Sequence, residues 1–301
     1  MKILKALIKR NIKLFFKDKV LFLTSLITPV ILLILYAVFL GGIFTDTLQS
    51  LLPEGYELDK KIINGFAGAQ LLSSVLSVSC ITVAFSSNLL MVQDKANGTV
   101  KDLTVSPVRS YTMSLGYYIA TFISTLIVCL VATLICFGYV AIRGWLFSPL
   151  DVLLIVSDVV LLCLFGVALS SVVNFFLSSQ GQMSAVSTIV STGYGYVSGA
   201  YMPTAQFPEF MQRIVSLLPG TYGTGMVRNH ALRGVFSAME SDGLPKEFID
   251  GVRDGFDCNL YFFDNKVSLP VMYIVVVGTI LLLVGIYVLM NFLRSKKARK
   301  E

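Results

Sequence analysis

Long apolar runs separated by short polar stretches dominate the pattern along this 301-residue chain. A helix of about 20 apolar residues crosses the roughly 30 Å of hydrocarbon in a bilayer. Six segments meet that length: 21–43, 66–92, 111–140, 150–177, 183–202 and 269–293. The runs are too long and continuous for barrel strands, and open sheet edges do not survive in hydrocarbon. The expected class is therefore an all-α polytopic membrane protein, with residues 1–301 forming a single transmembrane domain. Residues 1–19 follow a different rhythm. Ile3, Leu4, Leu7, Ile8, Leu14 and Phe15 fall on one helical arc, and Lys5, Lys9, Arg10, Lys13 and Lys17 on the other. Such an amphipathic helix is expected to lie on the lipids of the inner leaflet. The stretch is too basic for the apolar part of a signal peptide and lacks a small-residue cleavage site, so the first span is expected to be retained.

Composition strengthens this reading. The chain is 55% hydrophobic and 14% charged, where a soluble domain carries roughly 25% charged residues. An ordinary soluble enzyme, a disordered chain and a nucleic-acid binder are all excluded, because the net charge of +6 is diluted among apolar runs. The distribution of charge then sets orientation, since Lys and Arg are retained on the cytoplasmic side. The segments on the side of the termini hold fifteen basic and four acidic residues, and those on the opposite side nine basic and, with Asp151 at the edge of its span included, thirteen acidic. Both termini are expected in the cytoplasm. The long 203–268 connection, with its acidic insert, is expected outside.

Few side chains stand out inside the spans. Asp158 lies about 13 Å along its helix from the outer end, where an ionised carboxylate needs a partner or water. It reads either as a substrate contact or as a residue under the outer helices paired with Arg213, Arg228 or Arg233. Ser191, Gly195 and Gly199 recur every fourth residue and read as a packing seam, within or between protomers. Tyr194, Tyr196, Tyr201, Phe207 and Phe210 suit interfacial anchoring, with a substrate route as the alternative. Cys80, Cys129, Cys136 and Cys163 read as small packing residues. With Cys258 they form no disulfide framework and no CxxC pair, and no metal site is expected. His230, the single histidine, is expected at a surface or an interface.

The sizeable cytoplasmic connection reads QDKANGTVKDLTVSPVR from Gln93 to Arg109. Thr99 suits an N-cap, Asp102 has the capping-box spacing, and Pro107 ends the turn, so a short helix is expected. Here the chain resembles the membrane subunits of ATP-binding-cassette exporters of the ABC-2 type. Their first cytoplasmic loop carries charged residues, then GT, a leucine and a Ser/Thr-Pro. Asn97 stands where that family commonly has an acid, which leaves Asp94 as the candidate for its ion pair. A second stretch, SGAYMPTAQFPEFMQRIVSLLPGTYGTGMVR over 198–228, is similar to the family's pattern of SG, two prolines, Gln, LP, TY and a final Arg.

The resemblance implies a permease for a lipophilic or amphipathic substrate such as a drug, peptide, lipid or glycan. It also implies a second permease protomer, identical or similar, and a bacterial plasma membrane. Asp94, Lys95, Gly98, Thr99, Asp102, Leu103, Ser106, Pro107 and Arg109 would couple to a cytosolic ATPase. Short re-entrant helices would run from Pro203 to Pro219 and from Thr221 to Arg233, with Pro203, Pro208, Glu209, Gln212, Pro219, Tyr222 and Arg228 forming an outer gate. The chain contains no GxxxxGK[ST] run, so ATP and Mg would be bound by the partner. Two other classes stay open: an ion-coupled carrier or channel using Asp158, and an intramembrane enzyme, although the spans hold no HExxH and no Asp pair.

Overall fold

The computed structural model describes residues 2–53, 56–100, 110–263 and 265–297. Helix α1 (Lys2–Lys17) buries Leu7, Asn11 and Phe15 on one stripe. The buried face is therefore narrower than the apolar arc of the sequence and includes a polar residue. Asp18 then caps α2 (Lys19–Leu35) by accepting from the Val20 and Leu21 amides. A five-residue π-helical turn, Tyr36–Leu40, connects α2 to α3 (Gly41–Leu51). Together they form one apolar rod of 33 residues, Lys19–Leu51. At 1.5 Å per residue that is about 50 Å, well beyond the expected span of 21–43.

Helix α4 (Lys60–Ser87) is the centre of the molecule and is buried along most of its 28 residues. Its serines and glycines let α2, α3, α6, α7, α8 and α10 pack around it. A break at Asn88 leads into α5 (Leu89–Ala96). Helix α6 (Ser110–Gly144) and helix α7 (Pro149–Phe175) are joined by a short turn, where Trp145 packs edge-on against Phe137 and Phe147. Ser148 and Asp151 form a reciprocal capping box that starts α7 immediately after the turn.

Helix α8 (Gln180–Val197) is shorter, at 18 residues. Among the described residues, five helical rods are long and apolar enough to cross a membrane: Lys19–Leu51, Lys60–Ala96, Tyr111–Gly144, Pro149–Phe175 and Leu269–Leu293. The expected span 183–202 is not among them. Its glutamines, serines and threonines dilute the apolar residues, and the helix ends at Val197.

The 203–268 connection holds α9 (Glu209–Ser216), α10 (Pro219–Ser241) and α11 (Lys246–Gly255). A small antiparallel hairpin follows, β1 (Leu260–Phe262) and β2 (Asn265–Val267), in which Tyr261 pairs with Lys266. The chain is thus not wholly helical. The second expected re-entrant helix also changes character, since Thr221 to Arg233 belong to a 23-residue helix buried against α4, α7 and α12. Its Gly- and Thr-rich face is covered by protein, so it needs no continuous apolar run. Helix α12 (Leu269–Lys297) closes the fold against α7 and α10.

Candidate functional site

At the end of the bundle that holds α1, α5 is fastened to three other helices. Arg10 on α1 donates to both oxygens of Asp94, at 2.8 Å and 3.2 Å, and Tyr117 on α6 donates to the same carboxylate. The hydrogen bonds to Asp94 raise the Arg10 pKa, so this cation stays charged at any working pH. Lys95 reaches α7, donating at 3.0 Å to the carbonyls of Asn174 and Phe175 and over the Phe175 ring. A cation on the last carbonyls of a helix satisfies orphan acceptors and opposes the helix dipole. Asn88 adds a buried clasp to Ser170 and Ser171 of α7.

Asp94, expected to face a partner ATPase, therefore faces Arg10 and Tyr117 and is buried. Beyond it, Gly98 adopts φ +79°, a left-handed bend that favours glycine. Thr99 is already helical, so the bend before it falls on Gly98 and Thr99 is not the cap expected from the sequence. Asp102, Leu103, Ser106, Pro107 and Arg109 lie outside the described residues.

In the half of α7 nearer Pro149, Asp158 is completely buried. Its Oδ2 lies 2.6 Å from His230 Nδ1 on α10, and Tyr273 on α12 donates to its Oδ1. Among the described residues, no arginine is its partner. Arg213 pairs with Glu209 one turn away, Arg228 with Asp257, and Arg233 with Asp151 at the start of α7. The reason is register: α10 runs antiparallel to α7, so Arg233 arrives one turn beyond His230 and meets the end of α7. His230 is correspondingly an interior residue, not the surface or interface residue expected from its polarity.

Most of the residues expected to form an outer gate sit together in a compact cap. Arg228 is fully buried and donates to the carbonyls of Phe256 and Gly199 and, at 3.3 Å, to Asp257. Asp257, held at φ +55°, also accepts from the Thr204 amide at 2.6 Å and the Thr204 hydroxyl at 2.7 Å. Gln212 donates to the Phe207 carbonyl, Tyr222 to the Ser216 carbonyl, and Pro219 opens α10 at its first turn. Pro203 is buried, whereas Pro208 and Glu209 are exposed.

Beside this cap lies a groove of about 550 Å³, open on one side and lined by Tyr36, Phe44, Tyr196, Tyr201, Met202 and Gln206 among others. Tyr36 also donates to the Ala200 carbonyl at 2.8 Å, closing the groove floor. The Ser191, Gly195 and Gly199 seam is filled from within the chain. The Tyr201 ring lies against Gly195, and its hydroxyl donates to the Ser191 carbonyl.

The family model for ABC-2 type transporters matches residues 3–231. The chain belongs to the ABC-2 type transporter family. The match runs from α1 to the residue after His230, so it takes in the Arg10–Asp94 pair, Asp158 and the first half of α10. The insert, the hairpin and α12 lie beyond it. A search of curated proteins finds no match. Membership makes this a membrane transport component rather than a catalyst, and permeases of this family work with an ATPase subunit.

Sequence reasoning missed Asp257, Tyr117 and Tyr273, each of which is an ordinary polar residue until the fold brings it to a charged partner. It also missed a cysteine convergence. The Sγ atoms of Cys80, Cys129 and Cys163, on α4, α6 and α7, all lie within 4.8 Å of one another. Their spacing in sequence carries no sign of it.

Proposed function

We propose that this chain is the permease subunit of an ATP-driven exporter, working as a dimer with two cytosolic ATPase subunits. The observation that carries the reading is the fastening of α5. A push on the loop after Gly98 is passed through Asp94 to α1 and α6 and through Lys95 to α7. A short element docked on an ATPase would then move several spans as one body. Motor and gate are separate in this reading, because the sequence has no phosphate-cradling loop.

In the same reading α8 makes the sixth crossing and returns the chain to the outer side. Its support is the meeting of Ala200 with Tyr36, 17 residues beyond Lys19 along the first rod, which sets the far end of α8 about 26 Å above the start of α2. The aromatic groove suits a lipophilic or amphipathic cargo, with flat rings for its apolar body and Gln206 and Thr47 for polar groups. Asp158 gives less support to an ion-coupled carrier, since both its oxygens are engaged and it faces no open path.

The test is a substitution in the loop. Gly98→Pro or Leu103→Asp should leave folded permease in the membrane while abolishing ATP-dependent transport in vesicles. Transport by the purified chain without nucleotide would overturn the reading.

A further inference from the structure

Cys80, Cys129 and Cys163 come from three different helices and are all fully buried, so no local turn brings them together. The approach is built by backbone. Gly166, one turn after Cys163, presses α7 so close to α4 that an added Cβ would sit 2.9 Å from the Cys80 carbonyl. The Cys80 thiol is directed across the same contact, donating at 3.9 Å to the Val159 carbonyl of α7.

Three soft sulfur donors at one point favour a thiophilic ion, and the surroundings select among such ions by charge. The neighbours one helical turn away include the buried Leu76, Val159 and Val167 and the buried hydroxyl residues Ser77, Thr125 and Thr133, all uncharged. Three thiolates around Cu(I) or Zn(II) leave a net negative complex, which such an enclosed and uncharged surrounding penalises heavily. A trivalent metalloid avoids that cost. Arsenous acid, As(OH)₃, is uncharged and reacts with three thiols. Three As–S bonds form and three As–O bonds break, and each thiol proton leaves with a hydroxide as water. Arsenic remains trivalent, and the product is neutral.

We propose that Cys80, Cys129 and Cys163 form a trithiol site for a trivalent metalloid such as arsenite or antimonite. The site ties α4, α6 and α7 together when occupied, so the ligand locks the centre of the permease.

The experiment titrates sodium arsenite into the full-length chain in lipid nanodiscs and measures bound arsenic and its X-ray absorption. The expected result is one arsenic per protomer with three sulfur neighbours and no oxygen. Cys80→Ser, Cys129→Ser and Cys163→Ser should each lose binding, whereas Cys136→Ser and Cys258→Ser should keep it. No bound arsenic, fewer than three sulfur neighbours, or loss only in the Cys136 or Cys258 variants would overturn the proposal. So would uptake of Cu(I) or Zn(II) by a protein that refuses arsenite. The sulfur count is read on the unaltered protein, so a variant that fails to fold does not blunt the test.

Discussion

Asp158 and His230 stand 72 residues apart in the chain, yet their side chains meet at 2.6 Å between α7 and α10. With Tyr273 on the other carboxylate oxygen, they join three helices at one enclosed point. Removing one partner of such a pair strands a buried polar group. His230→Ala should therefore cost about 1–3 kcal/mol, read as a lower Tm in detergent. Asp158→Asn, which keeps an acceptor for Tyr273, should cost less. A His230→Ala protein that melts like the unaltered one would show that the pair does not hold α10 in place.

Asp94 gives a functional counterpart. Asp94→Ala removes the anchor for Arg10 and Tyr117, and losing a charge-assisted hydrogen bond costs about 1.5–3 kcal/mol. The expected outcome is a permease that still reaches the membrane and still binds its ATPase, but whose ATP hydrolysis no longer tracks transport. Equal loss of ATPase binding would place Asp94 at the docking surface instead.

The apolar rods were legible because each is a continuous run whose length alone identifies it. Their orientation stands as an expectation from the lysines and arginines at their ends. Helix α10 was legible only in part: Thr221 to Arg233 read as a short re-entrant helix, whereas a helix whose first half is covered by protein needs no apolar run and continues to Ser241. The partner of Asp158 was misread for a related reason. Charge suggested an arginine, whereas the register of α10 against α7 delivered a histidine. The cysteine trio was invisible because helix packing, not spacing, creates it.

Cys258 allows a test by pH. Burial pushes its thiol up to about 12, with Arg228 pulling weakly the other way. A raised thiol pKa means the folded state holds its proton longer. The stability it contributes is present below the unfolded value of about 8.5 and is lost as pH climbs toward 12. Since the thiolate is the reactive form, maleimide labelling of Cys258 should be negligible from about pH 7 to pH 9 and appear on unfolding. Rapid labelling of the folded protein at neutral pH would show that this thiol is reachable and ionised.

The path of α8 can be decided by labelling from each side. Single-cysteine variants at Ser178 and Ala205, made in a chain freed of its own cysteines, flank the helix. A membrane-impermeant maleimide should label Ser178→Cys only from the cytoplasm and Ala205→Cys only from outside. Labelling of both positions from one side would leave five crossings and put the two termini on opposite sides.

The five residues from Tyr36 to Leu40 form a wider coil than the helices on either side of them, and they sit where the aromatic groove begins. A π-helical turn holds one residue more than the α-helical turn it replaces. Tightening that coil would hand the spare residue to a neighbour, advancing the upper segment by about 1.5 Å and swinging it through roughly 100°. Ile43, Phe44 and Thr47 would then present a different wall to whatever occupies the groove, like a screw turned within a fixed nut, while the Lys19 end of the rod stayed put.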